Sequence, residues 1–583
     1  MTARPLTPPP LQGPTAKEKK YDRQLRLWAA SGQQALEDAH VLLLNGGSPG
    51  VVGVETLKNL ILPGIGSYTI VDGNVVAEKD LGINFFLTDH SLGKSRADET
   101  CKYLTELNPD VQGYPVQKSL RDFLGSAIPS DAPDRLSSLT NPNALDKYSL
   151  VLFVASKQNY PLLRLVSSYC AAKALPLFYL HSLGLFSHFS TQLPDPFPIV
   201  DTHPDPTSTQ DLRLLDPWPE LQAFAKSKTE NLNTLSNHDH GHVPYLLLLL
   251  RFLTDWRESH DGNPPSEYRE KKEFKSLVES KARTDNPEGG EENFDEAAAA
   301  VLKSLNKPSL PSGLRQVLED PSSKQLQQDS ANFWLIANAI QKFHQKHGSL
   351  PLPGALPDMK AQSQDYIQLQ NIYKAKSRRD IEEVTNSLRS TEADLKRQTP
   401  VEAKEIESFC KGAAFVKLIK GQPLPVYAPN AKAPPTSLQN ILDDEDSLLP
   451  IFLAFQAYDH WLHENSNTTP QTDPSAPFSS SSSSSSEEAK PPLEALKQSA
   501  TQTIDLNAAG DGPQINADDI MPRIEPILAE FVRAAGAELH NISALTGGMV
   551  AQEVIKVLTK QYIPIDNTCV FDGIASKSAV FRL

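Results

Sequence analysis

Three glycines at a three-residue spacing, Gly47, Gly50 and Gly53, follow directly on the apolar run Val41 to Leu44, and Asp72 closes the next apolar run. Glycines between a strand and a helix let the backbone approach phosphate oxygens without Cβ atoms in the way. The helix N-terminus adds unpaired N–H groups and the positive end of the helix dipole. An acid roughly 20 residues past such a turn is placed to reach a ribose hydroxyl. Lys94 supplies a cation farther along. The chemistry these residues suggest is nucleotide binding. The spacing nevertheless departs from G-x-G-x-x-G: Ser48 and Pro49 stand where close approach is needed, and Pro49 has no N–H to donate. The motif reads as an α/β core unit with a vestigial phosphate site.

Thiol chemistry is the second possibility. Cys101, Cys170, Cys410 and Cys569 lie far apart and form no C-x-x-C pair, which argues against a zinc site or a disulfide framework and for a reducing compartment. Cys101 falls on an apolar helical stripe with Ala97, Leu104 and Leu107. Cys410 sits among Ile406, Phe409, Ala413 and Phe415. Both read as packed thiols rather than nucleophiles.

The elements that position these residues follow from apolar patterning. Val41 to Leu44 and Tyr148 to Ala155 are continuous apolar runs of buried-strand type, and Ser67 to Val71 and Pro176 to Leu180 read as further strands. Helical spacing covers Val51 to Leu60, Gly93 to Leu107 and Pro161 to Ala174, with Pro63 and Gly64 stopping the first. This alternation predicts a doubly wound, mostly parallel sheet of α/β class. From about 191 the texture becomes helical, without a repeat period. The closing stretch, 540 to 583, predicts a helix over Leu545 to Leu558 and two strands. Gly547 and Gly548 there would allow close backbone packing. Tyr21 to Trp28 begins an amphipathic helix with Tyr21, Leu25 and Trp28 on one face and Arg23 and Arg26 turned away.

The chain has 583 residues and a net charge of −15. An acidic chain does not suit nucleic acid or an anionic membrane. The longest hydrophobic run, Val243 to Leu253, is interrupted by Arg251 and is too short to span a bilayer. The Pro-rich N-terminus lacks the apolar core of a signal peptide. The expectation is a soluble protein of the cytoplasm and nucleus. Residues 1–20 are expected to be a disordered tail and 468–492, with the run Ser479 to Ser486, a disordered loop.

Four stretches, YDRQLRLWAASGQQALEDAHVLLLN, KNLILPGIGSYTIVDGN, NFFLTDHSLGKSRA and GGMVAQEVIKVLTKQYIPIDNT, resemble the ubiquitin-like-modifier activating enzymes of ThiF type. The segment LPLPGALPDMKAQSQDYIQLQNIYKAKSRRD narrows the resemblance to the regulatory, non-catalytic subunits of the neddylation branch. The resemblance implies a Rossmann-like pseudo-adenylation domain over 21–190 and 536–583. It also implies an inserted, mainly helical domain over 191–535 that resembles a catalytic-cysteine domain without its cysteine. Gly47, Gly50, Gly53, Asp72 and Lys94 would then be the remains of a nucleotide site. Catalytic members carry a second acid where Asn74 stands, an Arg-bearing stretch where Asn84, Phe85 and Phe86 stand, and a magnesium-binding Asp where Ser156, Lys157 and Gln158 stand. No catalytic residue, cofactor or metal is therefore expected in this chain; ATP and magnesium belong to the partner subunit.

The resemblance further implies a heterodimer with a catalytic subunit, the ubiquitin-like modifier as a shared partner, and a conjugating enzyme reached through the complex. Arg23, supported by Tyr21 and Gln24, would extend into the partner's ATP site, and Gly547, Gly548 and Gln552 would lie at the partner interface. The sumoylation counterpart is shorter and lacks the large insertion. A free-standing NAD-dependent oxidoreductase and a pure scaffold are the remaining alternatives.

Overall fold

The computed structural model describes residues 13–46, 49–125, 144–156, 160–204, 211–284, 289–307, 309–425, 441–465, 492–508 and 517–583. Ten strands appear among them: β1 His40–Leu44, β2 Ser67–Val71, β3 Gln112–Val116, β4 Leu150–Val154, β5 Leu177–Leu183, β6 Phe186–Gln192, β7 Phe197–Val200, β8 Val416–Ile419, β9 Thr568–Asp572 and β10 Lys577–Phe581. Eight form one sheet in the order β10-β9-β6-β5-β4-β1-β2-β3. The neighbours from β3 to β5 pair in parallel. β5-β6, β6-β9 and β9-β10 pair antiparallel. The parallel strands β1 and β4 are mostly apolar and, like β5, buried on both faces, as a sheet covered by helices requires. The expected α/β class and largely parallel sheet are found, with an antiparallel extension built by the hairpin β5-β6 and the two closing strands.

The chain divides into two compact units, 1–197 with 419–583, and 198–418. The first holds the sheet. Its helices Leu449–Asn465, Leu493–Ala508 and Ala517–Ala534 bury Phe452, Phe455, Leu496, Ile524 and Phe531 together with Leu183, Phe186, Val570 and Phe581 of the sheet. The expected inserted domain, 191–535, is therefore drawn in at both ends. The three helices look like an insertion in sequence, yet their apolar faces complete the core of the α/β unit. The second unit is helical around two clusters, one centred on Leu246, Phe274, Phe294 and Tyr373 and the other on Leu335, Ile340, Leu388 and Phe409.

At the N-terminus, Thr15 caps a helical turn over Ala16–Lys20 through a capping box with Glu18, so ordered structure begins inside the stretch expected to be a tail. Residues 1–12 lie outside the described residues, as does the Ser-rich loop up to 491. Among the described residues no helix is long and apolar enough to cross a membrane.

Candidate functional site

The glycine turn leads from β1 into the helix Val51–Ile61, and Gly50 and Gly53 each have a steric reason. Gly50 adopts φ 65°, and a Cβ there would strike the Asn45 side chain; a Cβ on Gly53 would strike Leu43 and Val154 of the sheet. Gly47 lies outside the described residues. The helix N-terminus is the part that would cradle phosphate. Here its donors are already taken. Val51 N donates to Glu538 Oε1 at 3.1 Å and Val52 N to Glu538 Oε2 at 2.9 Å, while Gly53 N and Val54 N return to Gly50 O. Glu538 is 2 % exposed, and its Oε2 also accepts from the Ser543 hydroxyl at 2.7 Å. A carboxylate of the chain itself occupies the anion position, with the charge sign the helix dipole favours.

The acid after β2 is equally committed. Asp72 Oδ1 accepts from the backbone and side-chain nitrogens of Asn74 at 2.9 and 2.8 Å, and Oδ2 accepts from Arg96 Nε at 2.7 Å. Arg96, 3 % exposed, also donates to Asp80 Oδ1 at 3.2 Å. A carboxylate that holds a buried guanidinium and closes a turn has little left to offer a ribose hydroxyl. Lys94 turns away instead, half exposed, with Glu99 Oε1 at 3.7 Å. Gly50 and Gly53 follow β1 and Asp72 follows β2, its parallel neighbour in the sheet.

Phe85 stands 69 % exposed, its ring stacked on His540 at 3.6 Å between centroids. Ser156 is buried after β4, and Lys157 and Gln158 lie outside the described residues. ATP with magnesium is the group the resemblance associates with such a site. The donor set does not fit it: the helix-terminal N–H groups and the acid are saturated from within the chain.

The thiols are packed inside the chain. All four cysteines are free and buried. Burial pushes Cys170 and Cys410 up to about 12 and Cys569 up to about 11, with Asp380 and Glu407 adding to the effect at Cys410. A nucleophilic thiol needs the opposite environment.

Arg23 lies in the helix Asp22–Glu37, exposed, and no hydrogen bond or ion pair holds it among the described residues. Its neighbour Tyr21 is buried, accepting from Asn108 Nδ2 at 3.0 Å and donating to Asp110 Oδ2 at 3.3 Å, so the first turn that carries Arg23 is anchored. The helix breaks at Trp28 and Ala29, and Gln561 Nε2 donates to Trp28 O at 3.0 Å. Gln24 is half buried, Gly548 half buried and Gln552 exposed. Gly547 is buried within the chain, where a Cβ would meet Glu55 and Thr56 at 2.8 Å. Its lack of a side chain serves the close crossing of the helices His540–Thr559 and Val51–Ile61.

Sequence reasoning missed Glu538 and Arg96. Arg96 stands in the quoted GKSRA stretch, two residues past the Lys94 that was singled out, whereas Glu538 gave no local signal.

A family model described as "ThiF family" matches residues 21–582. The "NEDD8-activating enzyme E1 regulatory subunit" of Danio rerio is 32 % identical over 98 % of this chain and 99 % of its own length. The "Nedd8-activating enzyme E1 regulatory subunit" of Drosophila melanogaster is 35 % identical over 97 % and 98 %. The "NEDD8-activating enzyme E1 regulatory subunit AXR1" of Arabidopsis thaliana is 33 % identical over 97 % and 96 %. With a match that runs from Tyr21 to Arg582, this chain belongs to the ThiF family.

Proposed function

We propose that the chain is the regulatory subunit of the heterodimer that activates the ubiquitin-like modifier NEDD8, and that it carries no adenylation or thioester chemistry of its own. The observation that supports this reading best is the Glu538 carboxylate bound to Val51 N and Val52 N in the phosphate position. The engaged Asp72 and the raised, buried thiols point the same way. On this reading ATP and magnesium bind the catalytic partner, which adenylates the modifier and takes it as a thioester before a conjugating enzyme receives it. The names of the relatives favour neddylation over sumoylation. A nicotinamide cofactor would need the same helix terminus and acid, so the closed cradle counts equally against an oxidoreductase. The free thiols suit the reducing interior of cytoplasm and nucleus.

What the chain contributes to the reaction is positioning. Its docking completes the partner's ATP cleft, the 198–418 unit flanks the catalytic-cysteine cleft, and Arg23 reaches across. A guanidinium supplied in trans clamps phosphate oxygens bidentately, which ties adenylation to assembly. Arg23 is exposed and unengaged on an anchored helical turn, as such a role requires.

The test is modifier-dependent ATP–pyrophosphate exchange by the reconstituted heterodimer. Arg23→Ala should leave assembly and melting intact while exchange falls at least about tenfold, a loss of roughly 1.4 kcal/mol of transition-state stabilisation. Arg23→Lys should restore part of the rate, since an ammonium keeps the charge without the fork. Unchanged kinetics in a folded Arg23→Ala heterodimer would return Arg23 to the solvent.

A further inference from the structure

A cluster of polar side chains lies in the core of the first unit, away from the glycine turn. His181 and His188 face each other across the antiparallel pair β5-β6, and Asp459 reaches them from the helix Leu449–Asn465. One ligand atom from each lies within 4.8 Å of the other two. Their surroundings are aromatic: Phe455 is 4.6 Å from the His188 ring and 4.7 Å from the His181 ring, and Phe452 is 5.5 Å from His188. His188 is 2 % exposed, as is Asp459.

These groups have no internal solution. Neither ring nitrogen of His188 has a hydrogen-bond partner, nor does His181 Nδ1 or Asp459 Oδ1. His181 Nδ1 and Asp459 Oδ1 approach to 3.3 Å without the alignment of a hydrogen bond. A buried donor or acceptor left unmade costs about 1–3 kcal/mol. A proton shared between His181 and Asp459 would answer for one contact and leave His188 with none. A cation that accepts a lone pair from each would answer for all three.

We propose that His181, His188 and Asp459 bind one zinc ion, which fastens the β5-β6 hairpin to the Leu449–Asn465 helix. Two imidazoles and a carboxylate form a borderline donor set suited to zinc, whereas magnesium and calcium ask for a shell of oxygens. Tetrahedral zinc at about 2.0–2.1 Å from its ligands sets them roughly 3.3 Å apart. The His181–Asp459 pair already has that separation, and His188 has at most about 1.5 Å to close. The carboxylate is already oriented by a neighbour, since Tyr179 OH donates to Asp459 Oδ2 at 2.9 Å and leaves Oδ1 for the metal. Burial and the neighbouring His181 keep His188 neutral, the form that offers a lone pair.

The experiment uses the full-length chain expressed with zinc in the medium, purified, freed of loose metal by chelator and desalting, and measured by elemental analysis beside a His188→Phe variant. One zinc per wild-type chain and none above the blank in the variant is the expected result. X-ray absorption of the wild-type protein alone should show nitrogen and oxygen neighbours with histidine scattering and no sulfur, which keeps the proposal testable if the variant fails to fold. Tyr179→Phe should weaken zinc about 10–100-fold in chelator competition. A folded wild-type chain without zinc would overturn the proposal, leaving a buried histidine pair. So would zinc retained at full stoichiometry in His188→Phe, or a sulfur-bound ion.

Discussion

Two polar sites sit on one sheet and are solved in opposite ways. At the Val51–Ile61 helix terminus the chain supplies its own ligand: Glu538 meets the N–H groups of Val51 and Val52, and Arg96 and Asn74 saturate Asp72. At the His181, His188 and Asp459 cluster both ring nitrogens of His188, His181 Nδ1 and Asp459 Oδ1 remain without hydrogen-bond partners. The first site has the outline of a ligand site, and its helix-terminal N–H groups and its acid are engaged from within the chain. The second lacks any motif and leaves four buried side-chain atoms without a hydrogen-bond partner. Fold resemblance advertises a function at the first, while hydrogen-bond accounting places the need for a ligand at the second. Evidence for a ligand lies in unsatisfied groups rather than in the shape of a motif.

The sharpest way to break this comparison is to remove the acid of the saturated site. Asp72→Ala strips a buried guanidinium of one of its two carboxylates and should cost about 3–5 kcal/mol, read as a shift of the denaturant midpoint at unchanged slope. A loss within the range of a surface substitution would mean that Asp72 is not committed internally.

A somewhat smaller effect is expected at the helix terminus. Glu538→Ala leaves the N–H groups of Val51 and Val52 and the Ser543 hydroxyl without their acceptor, and should cost about 2–4 kcal/mol. The vacated position should then take an external anion. Inorganic phosphate or sulfate should raise the melting temperature of Glu538→Ala and leave the wild type unmoved by the same addition. Equal responses of the two proteins would show that Glu538 does not hold the anion position.

The unsatisfied cluster should announce itself in the pH dependence of stability. His188 is held well below the ordinary histidine value of 6.5, chiefly by burial and then by the charge His181 can carry; Asp459 is the acid facing both. Below pH 6.5 the unfolded chain takes up a proton that the folded chain refuses, so stability falls as pH falls, by at most about 1.4 kcal/mol per pH unit. Bound zinc adds to the slope with the same sign, because protons compete for the imidazoles. Wild type and His188→Phe, melted in parallel from neutral to mildly acidic pH, should diverge, the variant showing the shallower decline. Parallel curves would mean that His188 does not titrate out of register with the unfolded chain.

Much of the scaffold could be read directly from residues. β1, β2, β4 and β5 are short runs dense in Val, Leu, Ile, Phe and Tyr, and burial on both faces produces that pattern. β3, QGYPV, is an exposed edge strand containing Gly and Pro, so it carried no such signal. β6, FSHFSTQ, is buried throughout yet rich in polar residues. Ser187, Ser190 and Gln192 are satisfied by distant partners, Thr546, Thr568 and Ser167, whereas His188 has no hydrogen-bond partner. The helices between 449 and 534 were assigned to the insertion because an amphipathic pattern shows that a face is buried and not what buries it. The glycine turn, Asp72 and the packed thiols were legible because their chemistry is local. Glu538 was not, since it lies 486 residues from Val52, and only the fold brings a carboxylate to that helix terminus.

If the nucleotide site of this chain is closed from within, the chain serves activation through its partner and binds no ATP itself. Titration calorimetry of the isolated chain with magnesium-ATP reads this directly. No saturable heat is expected at millimolar nucleotide, with the same preparation still supporting exchange when the catalytic subunit is added. Stoichiometric ATP binding by the folded wild-type chain, lost on substitution of Asp72, would contradict it.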